Sequence, residues 1–191
     1  MPDDPMFVYL QVTDKEWRPG KIMIPSDFPE LEEFMGDFAE YMAEVYKEDL
    51  QRAIDDQRYE YKWEDLTIPY YEYKEKNNLS LNKWEATGFL KSNIDYWWTR
   101  DAWVVGIDKY SFYQGTFVSA YDVARFMEYG TEKMPARPLF RPLARYLSKH
   151  VRRYWHKFLD SEGINYEDWY EPHETHEEDV EEDVAEEEME G

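Results

Sequence analysis

Two apolar stripes at helical spacing, one in each half of the chain, constrain the fold more than any other feature. In the first, Leu31, Phe34, Phe38, Met42 and Val45 recur at spacings of 3, 4, 4 and 3, and the stripe drifts on to Tyr46, Leu50 and Ile54. A helix buried along one face through roughly residue 58 follows from that period. Asp27 stands three residues before Glu30, with Pro29 in the first turn, the pattern of a capping box. In the second stripe Phe140, Leu143, Leu147, Val151, Tyr154 and Phe158 fall at 3, 4, 4, 3 and 4, which predicts one continuous terminal helix. Pro138 and Pro142 both fit its first turn, where a missing amide costs little.

Between and before these helices the signals are shorter. Phe7 to Thr13 and Lys21 to Ile24 are apolar runs around a Pro19-Gly20 turn, which predicts an N-terminal hairpin. Tyr59 to Asn78 reads as extended or short-helical, with Thr67 as N-cap, Pro69 near the first helical position and an end at Asn77-Asn78. Thr87-Gly88 opens a short helix expected to carry Phe89, Leu90, Ile94 and Trp97. Ala102 to Ile107 and Gly115 to Ala120 are β-rich runs and predict a hairpin through the connection Asp108 to Gln114. Val123, Phe126, Met127 and Tyr129 predict a helix that Gly130 ends in a left-handed cap. The fold expected is α+β: a long N-terminal helix and a C-terminal amphipathic helix packed on a small, mostly antiparallel sheet, as one domain over residues 1–159.

Charge marks off the remainder. The net charge is −21, yet the 16 Asp and Glu from Asp160 to Gly191, with no Lys or Arg among them, supply most of it. Residues 160–191 therefore read as an acidic extension that cannot bury enough apolar surface to fold alone. Directly before it, Lys133 to Lys157 holds eight Lys and Arg and no acid. Within that segment Arg141, Arg145, Lys149 and Arg152 form a basic stripe at spacings of 4, 4 and 3. Such a stripe is either the solvated side of a helix or a contact for a polyanion, nucleic-acid phosphates or a carboxylate surface included. A basic surface on the same protomer, on an adjacent copy or on another protein is the expected counterpart of the acidic extension.

Several kinds of chemistry find no support in the residues. There is no cysteine, so disulfides, thiolate metal sites and cysteine nucleophiles are out. No GxxxxGK[ST] or GxGxxG cradles a phosphate, and no GxSxG turn offers a strained serine. His173 and His176 lie among carboxylates of the acidic extension and read as solvated rather than ligating. No cofactor, metal or catalytic set is assigned, and the chain is not expected to be an enzyme. The start, Met-Pro-Asp-Asp-Pro, lacks the basic and apolar parts of a signal peptide, and no apolar run approaches the ~20 residues that span a bilayer, so no membrane is expected. With eight Trp, 17 Tyr and 10 Phe, the aromatic content exceeds the needs of a core this size and suggests subunit contacts.

The stretch Val123 to Pro142, VARFMEYGTEKMPARPLFRP, carries a pattern of Ala, aromatic, Glu, aromatic, Gly-Thr, a short basic stretch and Pro-Ala-Arg-Pro. Ala124, Phe126, Glu128, Tyr129, Gly130, Thr131, Lys133, Pro135, Ala136, Arg137 and Pro138 fill those places. Upstream, Trp63-Glu-Asp-Leu66-Thr67 with Tyr71 and Lys74, and Thr87-Gly88-Phe-Leu90-Lys-Ser92, follow in order. Over residues 60–158 the chain resembles the neck and tail-completion proteins of lambda-like and related long-tailed bacteriophages. Leu139-Phe140 departs from the family's usual Phe-Leu order. The resemblance implies a structural virion protein, assembled in the host cytoplasm into a cyclic homo-oligomer, six-fold or alternatively twelve-fold. Such a ring would connect portal or connector to tail and line or seal the DNA channel, touching packaged DNA without reading its sequence. It also implies an interface loop of Glu128, Gly130, Thr131, Pro135, Arg137 and Pro138. In physical terms Gly130 supplies a positive φ, the prolines stiffen the loop, and Arg137 offers a planar fork to a carboxylate, Glu128 being the nearest, or to the backbone of a neighbouring subunit. The competing readings are an acidic DNA mimic or adaptor that binds a basic partner, and a hydrolase on another fold.

Overall fold

The computed structural model describes residues 8–10, 31–99 and 102–165, with side chains described from residue 33 onward. Helix α1 (Leu31–Asp55) runs the length the first apolar stripe predicts. Its face of Phe38, Met42, Tyr46, Leu50 and Ile54 is buried. The capping box at Asp27 and the second strand of the N-terminal hairpin lie outside the described residues. The strand β1 (Val8–Leu10) is described, and it pairs antiparallel with β3 (Ala102–Ile107), Val8 opposite Val105.

The sheet corrects the expected hairpin. Ala102–Ile107 pairs not with Gly115 to Ala120 but with β2 (Ile94–Thr99), antiparallel, Ile94 opposite Ile107 and Thr99 opposite Ala102, in the order β1-β3-β2. Ile94 and Trp97 accordingly sit in a strand, and helix α3 is the single turn Phe89–Ser92. Aromatic and β-branched residues at 96–99 suit a pleated surface, and only two residues separate β2 from β3. Tyr96 and Trp98 flank Trp103 across the strands, ring centroids 5.6 and 5.5 Å away. Residues 115–120 lead instead into helix α4 (Ala120–Tyr129). Ser119 caps α4, accepting from the Asp122 amide at 3.0 Å while its hydroxyl donates to the Asp122 carboxylate at 2.8 Å.

A 3-10 turn at Glu60–Lys62 leads to α2 (Ile68–Lys76), which starts after Thr67 with Pro69 in its first turn and ends at Asn77. The expected terminal helix is two: α5 (Phe140–Lys149) and α6 (Val151–Ser161), broken at His150. There φ is −102° and ψ is 17°, and the imidazole Nδ1 sits 2.7 Å from the Tyr146 carbonyl, engaging an oxygen of the helix ladder. The apolar stripe still reaches the core from both pieces. Trp155 is fully buried, edge-on to Phe38 at 4.9 Å and to Phe34 at 5.6 Å, with Phe158 alongside. The helices thus cover the sheet around one core, and α5 begins inside it.

One buried contact ties the two helical halves by their polar atoms. The Tyr46 hydroxyl, on α1, donates to the Phe140 carbonyl at 2.7 Å. Burial, with the Glu128 carboxylate nearby, holds this phenol well above its usual pKa, so it stays protonated as a donor. Tyr46→Phe should cost about 1 kcal/mol, a Tm loss of about 2–4 °C for a domain of this size. Thermal unfolding followed by circular dichroism checks it; an unchanged Tm would mean that water replaces the bond without cost.

Candidate functional site

The six residues of the proposed interface loop run from the last turn of α4 to the start of α5, and the two charged ones, Glu128 and Arg137, face inward. Helix α5 has Leu139 at its N-cap, a residue with no side-chain oxygen with which to cap the first turn. Glu128, from the last turn of α4, supplies the cap. One carboxylate oxygen accepts from the amides of Leu139 at 2.7 Å and Phe140 at 3.0 Å. The other accepts from the Arg141 amide at 3.1 Å and from its guanidinium Nε at 3.0 Å. The guanidinium also donates to the Glu128 carbonyl at 3.1 Å and lies 4.6 Å from the centre of the Tyr129 ring. Glu128 is 0% exposed, and four donors plus the positive end of the helix offset the burial of its charge.

The expected pair between Arg137 and Glu128 is therefore corrected: Arg141 takes the carboxylate, and Arg137 turns the other way. Its Nε donates to the Glu64 carbonyl at 3.1 Å and its terminal nitrogen to the Asp65 carbonyl at 3.2 Å. Its own amide donates to the Met127 carbonyl at 2.6 Å, closing the loop onto α4. Burial pulls the guanidinium below its ordinary pKa, while Glu64, Tyr70 and Asp65 act against that shift. The physical reason for the exchange is supply. The first turn of α5 presents a row of amides that only an anion satisfies, whereas the segment 64–65 presents carbonyls that suit a planar cation.

Two indoles complete the enclosure. Trp84 Nε1 donates to the Arg137 carbonyl at 2.9 Å and Trp63 Nε1 to the Pro138 carbonyl at 3.0 Å, so both carbonyls flanking the proline are satisfied from distant segments. Beside them Lys74 is buried, its ammonium donating to the carbonyls of Asn82 at 2.6 Å and Glu85 at 2.7 Å. Burial lowers its pKa, the Glu85 carboxylate opposes the shift, and Arg137 adds to it. Trp63 and the carbonyls of Glu64 and Asp65, far from it in the sequence, thus meet the Pro-Ala-Arg-Pro loop in space, while Lys74 and Gly88 line a small pocket with Trp84. The sequence carries no sign of the Trp84 contact and shows Tyr46 only as part of an apolar stripe; an indole or phenol placed to serve a distant carbonyl leaves no local signature.

Gly130 ends α4 as expected, but not in the left-handed helical cap: its φ is +74° and its ψ 178°, an extended positive-φ conformation open to glycine almost alone. Thr131 follows with a tight turn: its amide donates to the Met134 carbonyl at 2.8 Å, and its hydroxyl accepts from the amides of Lys133 and Met134 at 3.2 and 3.1 Å. Thr131, Glu132 and Lys133 are exposed, and Pro135 and Pro138 are half-buried. The basic stripe divides: Arg145 and Lys149 are exposed, Arg141 is committed to Glu128, and Arg152 is half-buried.

A pocket of about 70 Å³ lies between Tyr70, Lys74, Trp84, Gly88, Tyr113 and Met127, far below the roughly 300–1,000 Å³ of a small-molecule site. Among the described residues no group of three or more His, Asp or Glu is placed to hold a metal ion, and no helix is long and apolar enough to cross a membrane. His173 and His176 lie outside the described residues. No protein-family model matches the chain, and neither a curated protein nor a solved structure is significantly similar to it.

Proposed function

We propose that the chain is a structural subunit of the neck of a long-tailed bacteriophage, forming a ring at the head-tail joint that connects portal or connector to tail around the DNA channel. One observation carries the reading. Two of the segments on which the resemblance rests, the one at Trp63 and the one from Val123 to Pro142, meet at a single clamp, in which Glu128, Arg137 and Trp63, joined by Trp84, are spent on holding a loop in shape. A motif whose polar groups are consumed by backbone atoms serves geometry, and a shaped loop is what subunit contact requires. The outer surface of the fold is in keeping with it, since Ile68, Tyr110 and Phe117 stand largely in solvent at 75%, 82% and 99% exposure.

A ring needs a heterologous contact in which different patches of one subunit meet the next. Six copies is the favoured number and twelve the alternative. The test is a reconstruction of the head-tail joint of particles encoding this chain, with mass spectrometry of the same purified particles. A closed ring at the joint is expected. Absence of the protein from particles would overturn the reading and favour an acidic mimic acting free in the host cell.

A further inference from the structure

The eight Lys and Arg between Lys133 and Lys157 have no acid among them, and the structure sorts the seven from Arg137 onward into spent and unspent charges. Arg137 and Arg141 are committed to the loop clamp, and Arg152 and Arg153 are half-buried. Arg145, Lys149 and Lys157 are exposed, and among the described residues none of the three has an ion-pair partner. Arg145 and Lys149 stand one turn apart on α5, and Lys157 follows on α6, whose last residue is Ser161. Shortly after α6, residues 166–191 hold 14 Asp and Glu and no Lys or Arg.

Three polyanions could occupy this face: nucleic acid, a second copy through the exposed acids Glu33, Asp37, Glu40, Glu44 and Glu48 of α1, or the chain's own acidic segment. Tethering decides among them. The segment starts within ten residues of Lys157, so the face sees it at an effective concentration on the order of millimolar, well above that of a separate subunit. Reach is sufficient: 26 residues extend to roughly 90 Å, whereas α5 and α6 end to end span roughly 30 Å. We propose that residues 166–191 dock on their own protomer, on the α5 face of Arg145 and Lys149 and on Lys157 of α6. The docked segment holds that face against other polyanions until an assembly partner displaces it. The proposal stands whether or not the chain is a neck protein.

Zero-length carbodiimide coupling of the full chain reads the contact directly, because it joins a lysine amine only to a carboxylate touching it. In an equal mixture of ordinary and ¹⁵N-labelled protein, Lys149 and Lys157 should link to Asp or Glu between Glu171 and Glu190, within one isotope only. Yield should fall about tenfold between 50 mM and 1 M salt, where the screening length shrinks to ~3 Å. Links between isotopes would assign the face to a second copy, and no link at either lysine would remove the contact; both overturn the proposal. A full-length variant with the ten carboxylates from Glu177 to Glu190 changed to amides should bind short duplex DNA about tenfold tighter than the parent at low salt. Adding R145E and K149E to it should abolish the gain. Equal DNA binding by variant and parent would overturn the shielding role.

Discussion

Replacing Glu128 by glutamine should cost the protein about 3–5 kcal/mol, a Tm loss of roughly 6–20 °C for a domain of this size. The side chain keeps its length, so the loss is one of chemistry alone. Each carboxylate oxygen accepts two bonds: from the amides of Leu139 and Phe140 on one side, and from the amide and Nε of Arg141 on the other. An amide turns one of those oxygens into a donor, and whichever way it flips, two donors face it across a buried gap. Arg141→Met is the informative companion. Arg141 is 46% exposed on its side chain, and its removal leaves the carboxylate three backbone amides, so the loss should stay below about 1.5 kcal/mol. Urea unfolding of both variants separates cap from ion pair. Equal losses, or a glutamine variant within 1 kcal/mol of the parent, would mean that the α5 amides are satisfied in some other way.

Gly130→Ala should be comparably severe for a different reason. A Cβ at this position would lie 2.8 Å from the Ala136 amide nitrogen and 2.9 Å from the Met134 carbonyl oxygen, both backbone atoms that cannot rotate aside. The conformation itself costs a non-glycine residue about 1–3 kcal/mol, and forced contact of this kind typically adds about 1–3 kcal/mol. Gly115→Ala is the control, because Gly115 also has a positive φ, +72°, but nothing lies within 4 Å of its would-be Cβ. There only the backbone term of about 1–2 kcal/mol remains. Denaturation of the two variants side by side isolates the crowding; if both lose the same stability, the close approach of residues 134–136 to Gly130 has no energetic weight.

Helical period exposed both ends of the fold, since a stripe such as Phe38, Met42, Tyr46 and Leu50 has few other ways of being buried. It missed the break at His150 because the stripe continues in register through it, and one imidazole on one carbonyl leaves no trace in the apolar pattern. The strand partner of Ala102–Ile107 was mistaken for a similar reason. Gly115 to Ala120 has β-like composition, but Ser119 and Asp122 act together as a helix start, and the tight link between β2 and β3 outweighs the longer loop. At the candidate site Gly130, Glu128 and Arg137 were legible as a group, and only their partners were not. Opposite charges near each other in sequence suggest a pair; the decisive fact was an uncapped helix end at Leu139, whose need for an anion is visible once the start of α5 is placed.

The bond from Tyr46 to Phe140 spans 94 residues of chain, and that separation bears on how the protein is made. The apolar face of α1 leaves the ribosome early, while the α5 and α6 residues that cover much of it, Phe140, Trp155 and Phe158, are among the last of the domain to be added. At roughly 5–20 residues per second, the interval is about 5–20 s. During it Phe38, Met42 and Tyr46 form a sticky helix without its lid, whereas the Glu128 cap closes over only 11 to 13 residues and can assemble as soon as its own segment emerges. The expected consequence is that nascent chains are open to aggregation at the N-terminal helix until α5 and α6 pack over it.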